Sequence, residues 1–312
     1  MMRTTPVRLA PPAAIAAVLT LGVLPPCAVA DAPARVAVAT APQYERGAAT
    51  VHRIVLQGAV NVRDLGGYRT GLGRYVRYGR VFRADGLGKL TDTDVATLSA
   101  LHLRTVVDFR VPLEVRQDGA DRLPAGLSAT ARPADDLGLY EKTRAAIATK
   151  DPAKQQELLG DGKAAELMRS VYRNFVTDDK NRESFARTLR DIADHERSPL
   201  LYHCTSGKDR TGWVSYLLLR AIGVPDRTAT GDYLLSNELR AEADRATREA
   251  LKKAGLMENP DLLIPLQEVR ADYLRAALDQ AEKDYGSLDG YLRQGLGLDT
   301  ATLVRLHVQL VR

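Results

Sequence analysis

The stretch Leu200-Leu201-Tyr202-His203-Cys204-Thr205-Ser206-Gly207-Lys208-Asp209-Arg210-Thr211-Gly212 carries the strongest structural signal in this 312-residue chain. Residues 200–203 form a short apolar run that predicts a buried strand. Residues 211–222 are apolar enough to predict a helix, which Gly223 ends. A polar loop containing a glycine joins the two. Strand, loop and helix in this order are typical of α/β proteins.

The loop between Cys204 and Arg210 has the composition of an anion site. N–H groups at a helix N-terminus, together with the helix dipole, favour a tetrahedral dianion. Five residues let the loop circle a phosphate, with the sulfur beneath the phosphorus and the guanidinium on two oxygens. The same field favours the thiolate, so we predict Cys204 as a nucleophile. The predicted phosphate-binding residues are Thr205, Ser206, Gly207, Lys208, Asp209 and Arg210.

Three neighbours of the loop have predicted supporting roles. Thr211 could donate a hydrogen bond to the sulfur and make it a better leaving group. His203 could order the loop from behind, or it is simply a core histidine. Lys208 is expected near the entrance, where it either binds a second phosphate or is solvated.

Competing motifs and metal sites do not fit the sequence. A nucleotide-binding loop would need a glycine at Tyr202 and a Ser or Thr at Asp209. A Cys-His protease has no need of an arginine six residues after the cysteine. The five histidines stand apart along the chain, and one cysteine cannot make a zinc site. We therefore expect no metal and no cofactor. These histidines are His52, His102, His195, His203 and His307.

The first thirty residues have the pattern of a secretory signal peptide. Arg3 and Arg8 precede an apolar run of about 12 residues, well short of the ~20 that a bilayer requires. Ala28-Val29-Ala30 follows as a cleavage signature. We expect a secreted protein cleaved after Ala30, and a membrane anchor is the weaker alternative.

Cleavage would leave a loose, Ala- and Pro-rich leader over 31–50 and a mature chain with Cys204 as its one thiol. The formal charge of +5 would fall to +3, because two arginines and no acids are lost. Aromatic residues make up only 5% of the chain, so nothing indicates nucleic acid. A mildly basic balance fits an anionic substrate. No later apolar run predicts a transmembrane segment in the mature protein.

Strands and helices are predicted to alternate along the remaining chain. Residues 51–56, 81–83 and 105–110 read as further strands, and 111–135, with three prolines, reads as a loop. This alternation predicts an α/β class with a central, mostly parallel sheet flanked by helices. Residues 137–178 predict two or three helices between strands, which could form an inserted lid.

At this point the residues carry a resemblance to a family. The loop 203–212, with Lys208 and Asp209 before Arg210, resembles that of bacterial atypical tyrosine and phosphoinositide phosphatases in the protein tyrosine phosphatase superfamily. Val62 and Ala84 stand where the family commonly has Phe and Ser. Similar segments occur in the family's order, namely 61–68, 81–87, Val107-Asp108-Phe109-Arg110 with Glu114, and Tyr285-Gly286-Ser287 with Tyr291-Leu292.

The resemblance covers roughly residues 50–312 and implies a cysteine-phosphatase-like domain over 51–312. It implies a protein-tyrosine phosphatase activity, with a phosphorylated protein or a phosphoinositide as the substrate. It also places Arg63 and Asp64 beside the pocket, to contact substrate or brace the loop. Mycobacterial members carry a helical lid, which would correspond to 137–178 and shield the thiolate from oxidation.

The general acid is the open part of the predicted site. Many cysteine phosphatases take it from a Trp-Pro-Asp loop, but Trp213 is the one tryptophan and Val214 follows it. Asp209 is the first candidate, which the resemblance also implies, and Asp108 is the second. Either could instead form an ion pair that positions an arginine.

Two other functions remain open beside hydrolysis through a cysteinyl-phosphate intermediate. One is a catalytically silent phosphate-binding module of the same fold. The other is a sulfurtransferase or arsenate reductase with similar loop geometry. The second thiol that an arsenate reductase commonly uses is absent from the mature chain.

Overall fold

The computed structural model describes residues 52–312, so the predicted signal peptide and leader lie outside the described residues. The strands are β1 (His52–Arg53), β2 (Arg63–Asp64), β3 (Val81–Ala84), β4 (Thr105–Asp108), β5 (Ala129–Ala131) and β6 (Leu200–His203). The helices are α1 (Asp92–Ser99), α2 (Pro112–Asp118), α3 (Leu139–Ala148), α4 (Pro152–Leu159), α5 (Lys163–Thr177), α6 (Asp179–Ile192), α7 (Arg210–Ala221), α8 (Asp226–Lys253), α9 (Ile264–Gln267), α10 (Ala271–Tyr285), α11 (Leu288–Gly290) and α12 (Thr300–Leu310).

The strands form one sheet in the order β1-β2-β3-β6-β4-β5. The pairs β3–β6, β6–β4 and β4–β5 are parallel, and β1 and β2 add an antiparallel edge. His203 pairs with Ala84 on one side and with Asp108 on the other. The fold is therefore the predicted α/β class with a mostly parallel sheet, and the strand before Cys204 lies inside it.

Helices cover both faces of this sheet. Leu200 and Tyr202 belong to a large apolar cluster with the helices α5, α6, α7, α10 and α12, whereas Leu201 belongs to a smaller cluster with α1. Because side chains alternate along a strand, the two clusters lie on opposite faces. Burial on both faces explains why this strand reads as a continuous apolar run.

The helices of segment 137–178 have different surroundings. Gly160, Asp161 and Gly162 separate α4 from α5. Helix α5 packs against α10 and buries Tyr172 and Phe175 completely, so it is part of the core. Helix α3 instead borders the cavity at the loop 204–209.

Parts of the predicted pattern were wrong. Of the strand predicted over 51–56, the structure describes residues 52–56, and among these only His52–Arg53 form a strand. The loop predicted over 111–135 contains α2 and β5. Pro112 occupies the first turn of α2, where its missing N–H costs no helical bond. Strand β5 reads Ala-Thr-Ala and lies at the sheet edge, so no apolar run marks it.

No helix in the described residues is both long and apolar enough to span a bilayer.

Candidate active site

Cys204 lies between the centre of the sheet and the start of a buried helix. It follows β6 directly and is 1% exposed, while Arg210 opens α7. The turn between them depends on Gly207, whose φ of +64° favours glycine. A Cβ there would lie 2.4 Å from the carbonyl oxygen of Ala84, so the loop packs directly against the end of β3.

The loop's carbonyl groups are bound from outside by three buried side chains. The oxygen of Gly207 accepts hydrogen bonds from Asn61 Nδ2 at 3.0 Å and Arg83 Nη2 at 2.8 Å. That of Ser206 accepts from Asn61 Nδ2 at 3.1 Å and Arg240 Nη1 at 3.2 Å. We refer to Asn61, Arg83 and Arg240 as the carbonyl clamp.

The clamp determines where the loop's N–H groups point. In a trans peptide the C=O of one residue and the N–H of the next face opposite ways. The N–H groups of Gly207 and Lys208 therefore face away from the clamp. Within residues 52–312, no N–H from Thr205 to Asp209 donates a hydrogen bond to another protein group. The loop thus offers a set of free donors, which suits an anion.

Arg210 is held by a buried carboxylate. Its Nη1 and Nη2 donate to the two oxygens of Glu114 at 2.6 and 2.5 Å, and Thr205 Oγ1 donates to the same carboxylate at 2.5 Å. Burial alone would lower the pKa of Arg210, but the charge of Glu114 raises it well above its usual value. The guanidinium is therefore fixed in charge and direction, and its Nε forms no hydrogen bond with any group of residues 52–312.

Cys204 and Arg210 share one cavity with residues from four other parts of the chain. Asp136 precedes α3, and Leu139 and Tyr140 belong to that helix. The cavity is also lined by Glu114, Thr143, Thr205, Ser206, Lys208, Asp209, Arg240, Leu263, Leu266 and Gln267.

Asp209 lines the cavity with its carboxylate already engaged. Lys208 Nζ donates to both of its oxygens, at 2.9 and 2.7 Å, and Tyr172 donates to Oδ1 at 2.9 Å. Tyr233 donates in turn to the Tyr172 hydroxyl at 2.8 Å. Lys208 is only 2% exposed and also reaches the carbonyl oxygen of Glu268. It is a buried partner of Asp209, so the expectation of a solvated lysine is wrong.

Asp108 and His203 lie at the ends of adjacent strands but outside the residues that line the described cavity. Each carboxylate oxygen of Asp108 accepts a hydrogen bond from Arg110 Nε, at 3.0 Å. His203 contacts Asp121 through Nε2 at 3.0 Å and the carbonyl oxygen of Cys204 through Nδ1 at 3.3 Å. Burial would lower the pKa of His203, but Asp121 and Asp108 raise it to about 8.

His203, Asp108 and Asp121 offer ligand atoms that lie within 4.8 Å of one another. Arg110 donates to Asp108 through Nε and to Asp121 through Nη2 at 2.8 Å. A guanidinium thus already neutralises the carboxylates between which a cation would bind. The geometry is that of a buried charge network beneath the loop.

The remaining predicted residues lie behind the loop. Thr211 is fully buried, and its hydroxyl has no hydrogen-bond partner in the described part of the chain. Arg63 is fully buried, donating to Asp232 Oδ1 at 2.8 Å and to Asn61 Oδ1 at 2.5 Å. It therefore braces the loop through Asn61 and has no surface for substrate.

Asp64, expected beside the pocket, instead accepts from the N–H groups of Gly66 and Gly79 at 2.8 and 2.6 Å. Burial raises the pKa of this carboxyl to about 6. Its contacts close the turn between β2 and β3, and it does not line the described cavity.

Several residues at the site had no role assigned from the sequence. Glu114 belongs to a segment that resembles the family, but the sequence assigns it no role. The sequence also does not mark as site residues the clamp residues Arg83 and Arg240 or the cavity residue Asp136. A carboxylate two residues after a proline, following a buried strand, was the available signal for Glu114. Asp136 had none, because the strand before it was not recognised.

Comparison with known proteins agrees with this geometry. A model of the tyrosine phosphatase family matches residues 54–312. A Cupriavidus necator protein is 33% identical over 252 residues, covering 81% of this chain and 87% of its own. The triple specificity protein phosphatase PtpB of Mycobacterium tuberculosis is 33% identical over 273 residues, covering 80% of this chain and 96% of its own.

Similarity to solved structures is weaker. The crystal structure of TpbA from P. aeruginosa has 16% identity and a TM-score of 0.30, covering 81% of this chain and 100% of its own. That score adds nothing to the assignment, which rests on the family model and the two relatives. On that basis, the chain belongs to the tyrosine phosphatase family and is a phosphatase.

Proposed function

We propose that this protein hydrolyses phosphate monoesters by attack of Cys204 on phosphorus, through a cysteinyl-phosphate intermediate. The observation that supports this most is the shared cavity of Cys204 and Arg210, closed by a loop with free N–H donors. Three equatorial phosphate oxygens need donors on several sides, and this loop together with Arg210 supplies them. Neither metal nor cofactor enters the scheme.

In the first step the Cys204 thiolate forms an S–P bond while the P–O bond to the leaving group breaks. The leaving oxygen takes the bonding electron pair and receives a proton from a carboxyl group. In the second step water attacks phosphorus and loses a proton to that carboxylate. The S–P bond then breaks, and its electron pair returns to the sulfur. Thr211, whose hydroxyl is unpaired, can donate to the sulfur as it leaves.

The two aspartates expected to supply the proton differ in their suitability. Asp209 lines the cavity, but Lys208 and Tyr172 occupy its oxygens. Asp108 lies outside the cavity lining and is paired with Arg110. Asp209 is the better candidate of the two for contacting the leaving group.

For the substrate, we propose phosphotyrosine as the main class. Tyr140 and the leucines 139, 263 and 266 line the cavity, and apolar side chains suit an aryl leaving group. The relative PtpB is named a triple specificity phosphatase, which keeps phosphoserine/threonine and phosphoinositide substrates as a second candidate. Lys208, expected to bind an extra phosphate of a phosphoinositide, is already neutralised by Asp209.

We also propose that the protein is secreted after removal of residues 1–30 and that α3 acts as a lid over Cys204. The basis for secretion is the sequence pattern alone. The basis for the lid is the position of Leu139, Tyr140 and Thr143 along the cavity.

The test is hydrolysis of p-nitrophenyl phosphate by the wild type and Cys204→Ser, with rapid quenching and mass spectrometry of the peptide that contains residue 204. We expect phosphate on Cys204 in the wild type and no turnover in the variant. An inert wild type that still binds phosphate would favour the silent binding module. Turnover by Cys204→Ser would rule out the cysteinyl intermediate.

A further inference from the structure

Asp136 reaches the cavity from a part of the sheet that the sequence did not reveal. It lies between β5 and α3, in the loop that leaves the carboxyl end of β5. Since β5, β4 and β6 are parallel, this end of β5 is at the same edge of the sheet as Cys204. Asp136 lines the cavity together with Cys204 and Arg210.

Hydrogen bonds fix the loop on both sides of Asp136. The N–H of Ala134 donates to the carbonyl oxygen of Phe109 at 3.0 Å, and the carbonyl oxygen of Ala134 accepts from Arg210 Nη1 at 3.4 Å. After Asp136, the N–H of Tyr140 donates to its Oδ2 at 3.2 Å. The loop before Asp136 is thus held by Arg210, and the Asp136 carboxyl group is held by the first turn of α3.

The partners of Asp136 differ from those of the other two aspartates. Asp108 and Asp209 each have a cation in direct contact. Among the residues described, the Asp136 carboxyl group forms no ion pair within 4.0 Å and accepts only from the Tyr140 N–H. It is 5% exposed and lines the cavity.

The burial of Asp136 favours a neutral carboxyl group. Burial is the main cause that raises its pKa above the ordinary value. Arg210 acts in the opposite direction, as does the bond from the Tyr140 N–H, whereas the carboxylates of Glu114 and Asp135 raise the pKa further. A protonated carboxyl beside the phosphate site can donate, which an ion-paired carboxylate cannot.

We infer that Asp136 is the general acid and base of the reaction, and that Asp209 positions the loop. This inference rests on the proposed cysteinyl-phosphate mechanism. In the first step the Asp136 proton passes to the leaving oxygen as the P–O bond breaks, releasing an alcohol or phenol. In the second step the Asp136 carboxylate takes a proton from the attacking water as the S–P bond breaks. Inorganic phosphate leaves, and the thiolate and protonated Asp136 are restored.

The dependence of the rate on the leaving group tests this role. A missing acid slows the release of a strongly basic leaving group far more than that of a weakly basic one, whereas a distorted site slows both. We would measure kcat of the wild type and Asp136→Asn on phenyl phosphate and p-nitrophenyl phosphate. General acid catalysis contributes roughly 100-fold or more, so we expect that loss on phenyl phosphate and a much smaller loss on p-nitrophenyl phosphate.

Two further variants give the comparison. Asp284→Asn is the control: it makes the same change at an exposed aspartate that does not line the cavity, so both rates should stay near wild type. Asp209→Asn should lower both rates by a similar factor. Binding of inorganic phosphate by each variant shows that its site is still folded. If Asp136→Asn lost binding, Asp136→Glu would replace it and should keep the wild-type ratio of the two rates.

The inference is overturned if Asp136→Asn slows both substrates equally, or if the selective loss appears in Asp209→Asn or Asp108→Asn. Its failure is separable from that of the mechanism. An active wild type with an inactive Cys204→Ser supports the cysteinyl-phosphate route whatever Asp136→Asn does. An inactive wild type would overturn both.

Discussion

Glu114 and Arg210 form a bidentate pair in which each terminal nitrogen of the guanidinium donates to one carboxylate oxygen, at 2.6 and 2.5 Å. The same carboxylate accepts from Thr205 in the phosphate loop. One buried side chain therefore sets the direction of the arginine and the position of the loop relative to it. Burial alone would raise the pKa of Glu114, but the charge of Arg210 lowers it, so the carboxylate stays charged.

Replacing Glu114 by Gln should weaken phosphate binding and folding together. It leaves Arg210 buried without its counter-charge, a situation that costs about 3 kcal/mol of unfolding free energy. We expect the inhibition constant for inorganic phosphate to rise at least tenfold, and kcat to fall. Glu166→Gln is the control, because Glu166 pairs with Arg169 and Arg173 at the surface. Equal unfolding free energies of the two variants in urea would contradict the role of Glu114 as the counter-charge of Arg210.

Alanine substitutions at Gly207 and Gly255 distinguish backbone strain from a steric clash of the added methyl group. Both have a φ of +64°, so alanine at either position costs about 1–2 kcal/mol of backbone strain. Only at Gly207 would the Cβ also meet a backbone carbonyl, at 2.4 Å, whereas Gly255 faces open space. We expect Gly207→Ala to lose most activity and phosphate binding, and Gly255→Ala to retain both. Similar kcat values for the two variants would show that the loop tolerates displacement.

His203 should make the protein less stable at alkaline pH. Its pKa is raised from 6.5 to about 8, so the charged form contributes stability that is complete below about pH 6.5 and is lost as the pH rises through 8. The shift corresponds to about 2 kcal/mol in the unfolding free energy. Urea unfolding at pH 6 and pH 9 measures this loss of unfolding free energy. His203→Asn should abolish the loss, whereas His195→Asn, a change at an exposed histidine, should retain it. An equal unfolding free energy of the wild type at the two pH values would contradict the prediction.

Asp232 should make the protein less stable at acidic pH. It accepts from Arg63 and Arg83, and although burial would raise its pKa, these two charges lower it from 3.8 to about 2. Its contribution of about 2 kcal/mol is therefore present above about pH 4 and is lost as the pH falls through 2. We expect Asp232→Asn to unfold with a shallower dependence on acid than the wild type. The control is Asp92→Asn, whose carboxylate is almost fully exposed. A wild-type slope in Asp232→Asn would contradict this account.

The centre of the fold was predictable because its signals are local. Strand β6 is a run of apolar residues, and Cys204 and Arg210 are separated by a single loop, so strand, loop and helix could be derived from neighbouring residues. The mostly parallel sheet followed from the alternation of strands and helices. Strand β5 was missed because Ala-Thr-Ala at a sheet edge has neither length nor apolar character.

The surroundings of the loop could not be derived in the same way. Glu114 and Arg210 are 96 residues apart, and Asn61 and Gly207 are 146 apart, so only the folded chain brings each pair together. Lys208 was expected at the entrance, because a lysine in a polar loop is normally solvated. Its burial depends on Asp209 beside it and on the carbonyl of Glu268, which belongs to a distant segment.

The carbonyl clamp limits how this loop could be grafted onto another protein. Much of the shape of residues 204–209 is maintained by Asn61 before β2, Arg83 in β3 and Arg240 in α8, and not by the loop itself. The same residues grafted onto an unrelated strand and helix would lack the groups that turn the carbonyls outward. A transplant would therefore have to carry four separated pieces of the chain, since the loop's own sequence encodes only part of its shape.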